Sequence, residues 1–186
     1  MLRSTALFGL FLWSTVAVAD ETVLVCHGYG CLGQSEIHYS EGQLGDVRRL
    51  LRAAVDPVDE RKRLAEAVGL LYRWAGEQSD VRNDRAGNFN DGHVPGKMDC
   101  IDHSTSTTRL LEVLAGRGYL RWHRVLAPEG RYFLGLFVNH WSATIEETGG
   151  PQAGARFVVD SWFVNNGEAA VILPLDDWKK GAGPDV

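Results

Sequence analysis

Two hydrophobic periods divide the chain. Thr22 to Cys26 is rich in β-formers, Gly28-Tyr29-Gly30 turns, and Ser35-Glu36-Ile37-His38-Tyr39 alternates, which predicts a strand pair over residues 22–39. From Leu44 to Val55 the period becomes helical, with Leu44, Val47, Leu51 and Ala54 on one face. Asp56-Pro57 then restarts the chain: Asp caps, Pro fits the first helical position, and Asp59 and Glu60 suit the positive helix end. This second helix is expected to reach about Trp74, with Leu64, Val68, Leu71 and Trp74 facing inward. Residues 79–97 are polar, Gly-containing and without period, a loop long enough to suggest function. Ile101 to Ala115 is helical again and is stopped by Gly116 and Gly118. The rest reads as strands: 119–126, 131–146, 156–163 and 169–173. Turns are expected at Pro128-Glu129-Gly130, Gly149-Gly150-Pro151 and Asn165-Asn166-Gly167. Helices first and an antiparallel meander afterwards predict an α+β fold, with helices packed on an antiparallel sheet.

The first 19 residues break this pattern. Arg3, an apolar run from Thr5 to Trp13, and Ala17-Val18-Ala19 before Asp20 have the layout of a secretory signal peptide. That run is short for a membrane span. Cleavage after Ala19 would leave residues 20–186 as a single domain, opened by a strand pair over 20–42. Its expected location is periplasmic or secreted, with no membrane attachment after cleavage. The formal charge of −5 and the absence of a long basic cluster argue against a nucleic-acid partner. Oligomeric state is left open.

Export sharpens the reading of the three cysteines. Cys26 and Cys31 are separated by His-Gly-Tyr-Gly, and an oxidising compartment favours pairing them; two free thiols or half a metal site are the alternatives. Pairing leaves Cys100 as the lone thiol. It sits where the polar loop meets a helix, and a helix N-terminus favours the nucleophilic thiolate. His140 and Asp160 lie in two successive β runs. If those runs are antiparallel neighbours, the imidazole can take the thiol proton while Asp160 fixes its tautomer. An acid within the apolar run 156–163 also needs a partner, and Arg156 is the structural alternative.

At these residues the chain resembles the transglutaminase-like superfamily of papain-like thiol enzymes. The resemblance rests on Asp99-Cys100-Ile101-Asp102-His103-Ser104 opening a helix, followed by a strand His and a strand Asp in the order Cys, His, Asp. It spans roughly residues 60–165. It implies a cysteine hydrolase or peptidase that cleaves a peptide or amide bond through an acyl-thioester on Cys100. His140 would act as base and acid, Asp160 as orienter, and no cofactor would be required. The implied partner is a protein or peptide substrate. Rival readings are an acyltransferase, cross-linking or deamidating enzyme with the same triad, and a non-catalytic scaffold or binding domain that retains the fold.

The remaining chemistry is less specific. The Cys100 N–H is the first oxyanion donor to consider. Asn88, Asn90 or His93 are candidates for a second, and Trp141 for the substrate surface. His103 is a competing base by its position near Cys100. Asp102 reads as a first-turn acid that complements the helix dipole. The acids and amides of residues 88–99 do not match an EF-hand, and no C-x-x-C or H-E-x-x-H spacing marks a zinc site.

Overall fold

The computed structural model describes residues 20–87, 89–133 and 136–185. The leader expected over residues 1–19 and the candidate Asn88 lie outside the described residues. The strand pair forms as β1 (Glu21–His27) and β2 (Gly33–Tyr39), antiparallel, with Val25 opposite Ser35. The Cys26–Cys31 disulfide closes its turn. Gly28, Tyr29, Gly30 and Cys31 all take positive φ, between 59° and 81°. Two of the four are not glycine, so an outside force must hold this left-handed run.

α1 (Glu41–Arg52) begins earlier than its apolar face, because Ser40 and Gln43 form a reciprocal capping box ahead of Leu44. α2 (Pro57–Gln78) starts as expected, with the Asp56 side chain accepting from the Asp59 N–H, and runs a turn past Trp74. A short 3-10 turn (Asp80–Asn83) interrupts the polar loop. α3 (Cys100–Gly116) follows. Its run Ser104-Thr105-Ser106-Thr107-Thr108 is poor helix material on propensity alone. Four of these five side chains are buried, and they are satisfied locally or across the core. Thr108 Oγ1 donates to the Ser104 carbonyl at 2.7 Å, and the Cys26 N–H donates to Ser106 Oγ at 2.8 Å.

The sheet comprises β3 (His123–Phe133), β4 (Phe137–Glu147), β5 (Arg156–Asp160) and β6 (Val171–Pro174), antiparallel in the order β3-β4-β5-β6. Here the sequence reading needs correction. No turn forms at Pro128-Glu129-Gly130; β3 runs through it, with the register slipping between Leu126 and Glu129. β3 is an edge strand, where a missing N–H is tolerated. The reversal comes instead between Phe133 and Phe137, inside an apolar stretch whose pattern gave no turn signal. A short helix, α4 (Leu175–Lys179), closes the fold and was not anticipated.

Two apolar clusters result. The larger joins α1, α2, α3 and the β1–β2 pair to one sheet face, through Leu44, Leu64, Leu71, Leu111, Ala143, Ile145 and Val159. The smaller lies under Val158 and gathers Trp162, Phe163, Leu175 and Trp178, with Cys100 packed against it. Side chains alternate across a strand. Val158 and Asp160 therefore face the small cluster while Phe157 and Val159 face the large one. A buried polar seam ties α2 to the sheet. His123 Nδ1 lies 2.8 Å from Glu60 Oε1, and Arg61 reaches both His123 Nε2 (3.2 Å) and Glu147 (2.6 Å). Burial pushes the Glu60 carboxyl up. Hydrogen bonds from His123 and the N–H groups of Arg121 and Trp122 outweigh it and hold the carboxyl below its usual range.

Candidate active site

Cys100 is the first residue of α3, directly after its cap. Asp99 accepts from the N–H groups of Ile101 and Asp102, and Asp102 returns the contact to the Asp99 N–H. Asp102 has a second task. Its carboxylate accepts from the Tyr29 N–H (2.8 Å) and the Cys31 N–H (2.6 Å), and Asp99 accepts from the Gly30 N–H (2.9 Å). The left-handed turn is thus a concave row of N–H donors wrapped on the acids that begin α3. Burial, and the neighbouring Asp99 charge, raise the Asp102 carboxyl despite these donors. This makes Asp102 a structural acid, as its first-turn position suggested.

The body of α3 packs on the large cluster, but its first residue reaches the small one, at the end of β5. His140 meets the same cluster. Its ring lies 4.8 Å from Trp162, 5.5 Å from Phe163 and 5.6 Å from Trp178, centroid to centroid. Ala143 pairs with Val159, so one further step along the ladder sets Ser142 against Asp160 and makes His140 a diagonal neighbour. His140 Nε2 and Asp160 Oδ2 are 2.7 Å apart. The same oxygen accepts from Trp178 Nε1 at 3.0 Å, and Oδ1 accepts from the Trp162 N–H at 3.2 Å. Arg156, the alternative partner, pairs with Glu146 and Glu129 instead. Asp160 is buried, and its negative charge is spread over three donors. Among the described residues His140 Nδ1 makes no hydrogen bond.

Cys100 and His140 both border the small cluster, and among the described residues no hydrogen bond joins them. The main-chain N–H groups of Trp141 and of Cys100 itself face the sulfur, so Cys100 borders β4 at the residue after His140. The helix-terminus argument expected a lowered thiol. Instead burial pushes the Cys100 thiol up, the charges of Asp99 and Asp160 add to this, and the two N–H groups only partly oppose it. An isolated thiolate is disfavoured here. Only an opposite charge close to the sulfur could offset that cost.

Of the other candidates, Asn90 and His93 are exposed, and His93 lines a polar cleft with His27, Ser35, Gln78 and Asp80 rather than the aromatic cluster. Trp141 brings its main-chain N–H to the sulfur while its indole lies beside Gly130. His103 is buried and turned toward Ser161 and Asp84, away from a role as competing base. Trp178, whose indole N–H donates to Asp160, is a functional neighbour that the sequence does not mark. Its place on a short C-terminal helix carries no motif. Among the described residues no helix is long and apolar enough to cross a membrane. Among the described residues the one cluster of metal-ligand type is Cys26, Cys31 and Asp102, and its sulfurs are committed to the disulfide. No protein-family model, curated protein or solved structure matches the chain.

Proposed function

We propose that the chain is a transglutaminase-like thiol hydrolase that cleaves a peptide or amide bond by acyl transfer. One observation carries the reading. A buried carboxylate holds Nε2 of His140, and the next N–H along the same strand faces the only free thiol among the described residues. With Nε2 fixed by Asp160, Nδ1 is the nitrogen left to accept the thiol proton. The sulfur then attacks the carbonyl carbon, and the oxyanion is met by the Cys100 N–H at the start of α3. His140 returns the proton to the departing amine, leaving a thioester. Water attacks the thioester with His140 again as base, releasing the acid and the free thiol. Asp160, held by Trp178 and the Trp162 N–H, keeps the ring oriented through both halves.

Exposed apolar side chains surround this centre. Ile101 follows the nucleophile, Phe89 stands edge-on to Trp162 with centroids 5.0 Å apart, and Phe137 and Val138 precede His140. They favour a substrate with apolar side chains near the scissile bond. The 1–19 pattern and the disulfide favour a periplasmic or secreted site of action. The test is alkylation by iodoacetamide at neutral pH, with mass spectrometry locating the modified cysteine. Cys100 should label faster than a free thiol peptide. Equal rates would sink the proposal. Peptide libraries assayed with and without an added amine separate hydrolysis from transfer.

A further inference from the structure

We infer that His103 is a positioning residue that fixes the distance between the nucleophile's helix and the strand end carrying Asp160, acting through Ser161 and Asp84. This rests on the reading of Cys100, His140 and Asp160 as the reacting set. His103 stands one turn below Cys100 on α3, and Ser161 directly follows Asp160. His103 Nδ1 and Ser161 Oγ are 2.8 Å apart, and both residues are buried. Thr107, a further turn along α3, adds a second bond to Ser161 Oγ at 2.9 Å, and Tyr72 of α2 braces Thr107 at 2.9 Å. The sulfur and the Asp160 carboxylate are thereby tied through a short covalent path on each side and one hydrogen-bonded junction.

Asp84 closes the frame from the other side. Its Oδ1 accepts from the Met98 N–H at 3.0 Å, two residues before Cys100. Its Oδ2 lies 2.9 Å from His103 Nε2, three residues after, in a contact too bent for a straight hydrogen bond. One carboxylate therefore grips the chain on both sides of the nucleophile. Aspartate, histidine and serine in contact invite comparison with a hydrolase triad. This set has no access for substrate: all three are buried, and the space beside them is about 10 Å³, room for a water at most. Its reach to the chemistry is through Cys100 and Asp160, one turn and one residue away.

The test compares Ser161→Ala, His103→Leu and His103→Asn with the wild type. Asn retains a polar atom near the Nδ1 position. Each is measured for Cys100 alkylation rate against pH, for kcat and KM on a cleaved peptide, and for thermal melting. The charged groups near the sulfur in that profile are Asp99, which caps its helix, and Asp160 at the end of β5, with His140 of β4 the proposed base. Well below the melting temperature, Ser161→Ala and His103→Leu should lower kcat and the neutral-pH alkylation rate about tenfold, the loss expected of one buried hydrogen bond. KM should hold, and His103→Asn should recover part of the loss. Folded variants that alkylate and turn over at wild-type rates overturn the inference and leave the triad standing. Wild-type Cys100 that alkylates no faster than a free thiol peptide overturns both.

Discussion

Among the described residues three buried histidine–carboxylate pairs have nearly equal lengths, and they differ in what the second ring nitrogen meets. His123 sits between Glu60 and Arg61, with both nitrogens engaged. His103 bonds Ser161 through Nδ1, while its Nε2 lies 2.9 Å from Asp84 in a bent contact. His140 gives Nε2 to Asp160, and among the described residues its Nδ1 is committed to nothing. A histidine–carboxylate pair is therefore not in itself a sign of catalysis. A closed pair, whose second nitrogen is bonded to another side chain, is a fastener; an open pair, whose second nitrogen is uncommitted, can take up a proton. The same contrast separates the two apolar clusters. The large one is mostly aliphatic, with Tyr39, Tyr72, Tyr119 and Phe157 among its members, and holds the fold. The small one is aromatic, contains the sulfur and the imidazole, and is rimmed by exposed Phe89, Ile101 and Val138.

The sharpest break comes from deleting the one atom that sets the open pair apart. Cys100→Ala should abolish turnover and probe labelling while circular dichroism and melting temperature stay near wild type, since Cys100 is only part-buried. Asp160→Asn should leave the fold and lower kcat about a thousandfold, because an amide no longer fixes the productive tautomer. In the closed pair, Glu60→Gln should do the reverse: about 3 kcal/mol lost from urea-melt stability, with kcat per folded molecule unchanged. Glu60 is more acidic folded than unfolded, so its contribution is present above the ordinary carboxyl range. Falling pH should erase the difference between Glu60→Gln and wild type as it passes through the lowered folded value. Trp178→Phe keeps the ring stack and loses the hydrogen bond to Asp160, and should lower kcat about tenfold at constant KM. The smallest effect is Asp99→Asn. Asparagine still caps α3, but the negative charge that raises the Cys100 thiol is gone, so the alkylation profile should move to lower pH.

What the sequence revealed follows from the range of each signal. Short-range signals were readable: the Asp56-Pro57 start of α2, the Asp99 cap of α3, and the alternation that pairs β1 with β2. The adjacency of the strands bearing His140 and Asp160 was foreseeable because one turn joins them. Whatever needed distant partners was not legible. Pro128 looks like a turn until its strand is known to be an edge. Trp178 looks like core until α4 is known to lie against Asp160. His103 looked like a rival base because sequence spacing cannot reveal that Asp84 and Ser161 enclose it. The charge on the sulfur also escaped. A helix start argues for a low thiol pKa, but the aromatic burial that raises it comes from residues 158–178, far along the chain.

The turn at residues 28–31 has a practical consequence. Its backbone is held left-handed by the Cys26–Cys31 bond at one end and by the Asp99 and Asp102 carboxylates along its length. Reducing agents, routinely added to keep a catalytic thiol fresh, would attack that bond as well. Three donors would then be free to leave the acids at the head of α3, and the start of that helix would lose its support through the treatment meant to preserve the thiol. Handling under mild oxidant, with the free thiol shielded by a reversible blocker, suits this molecule better.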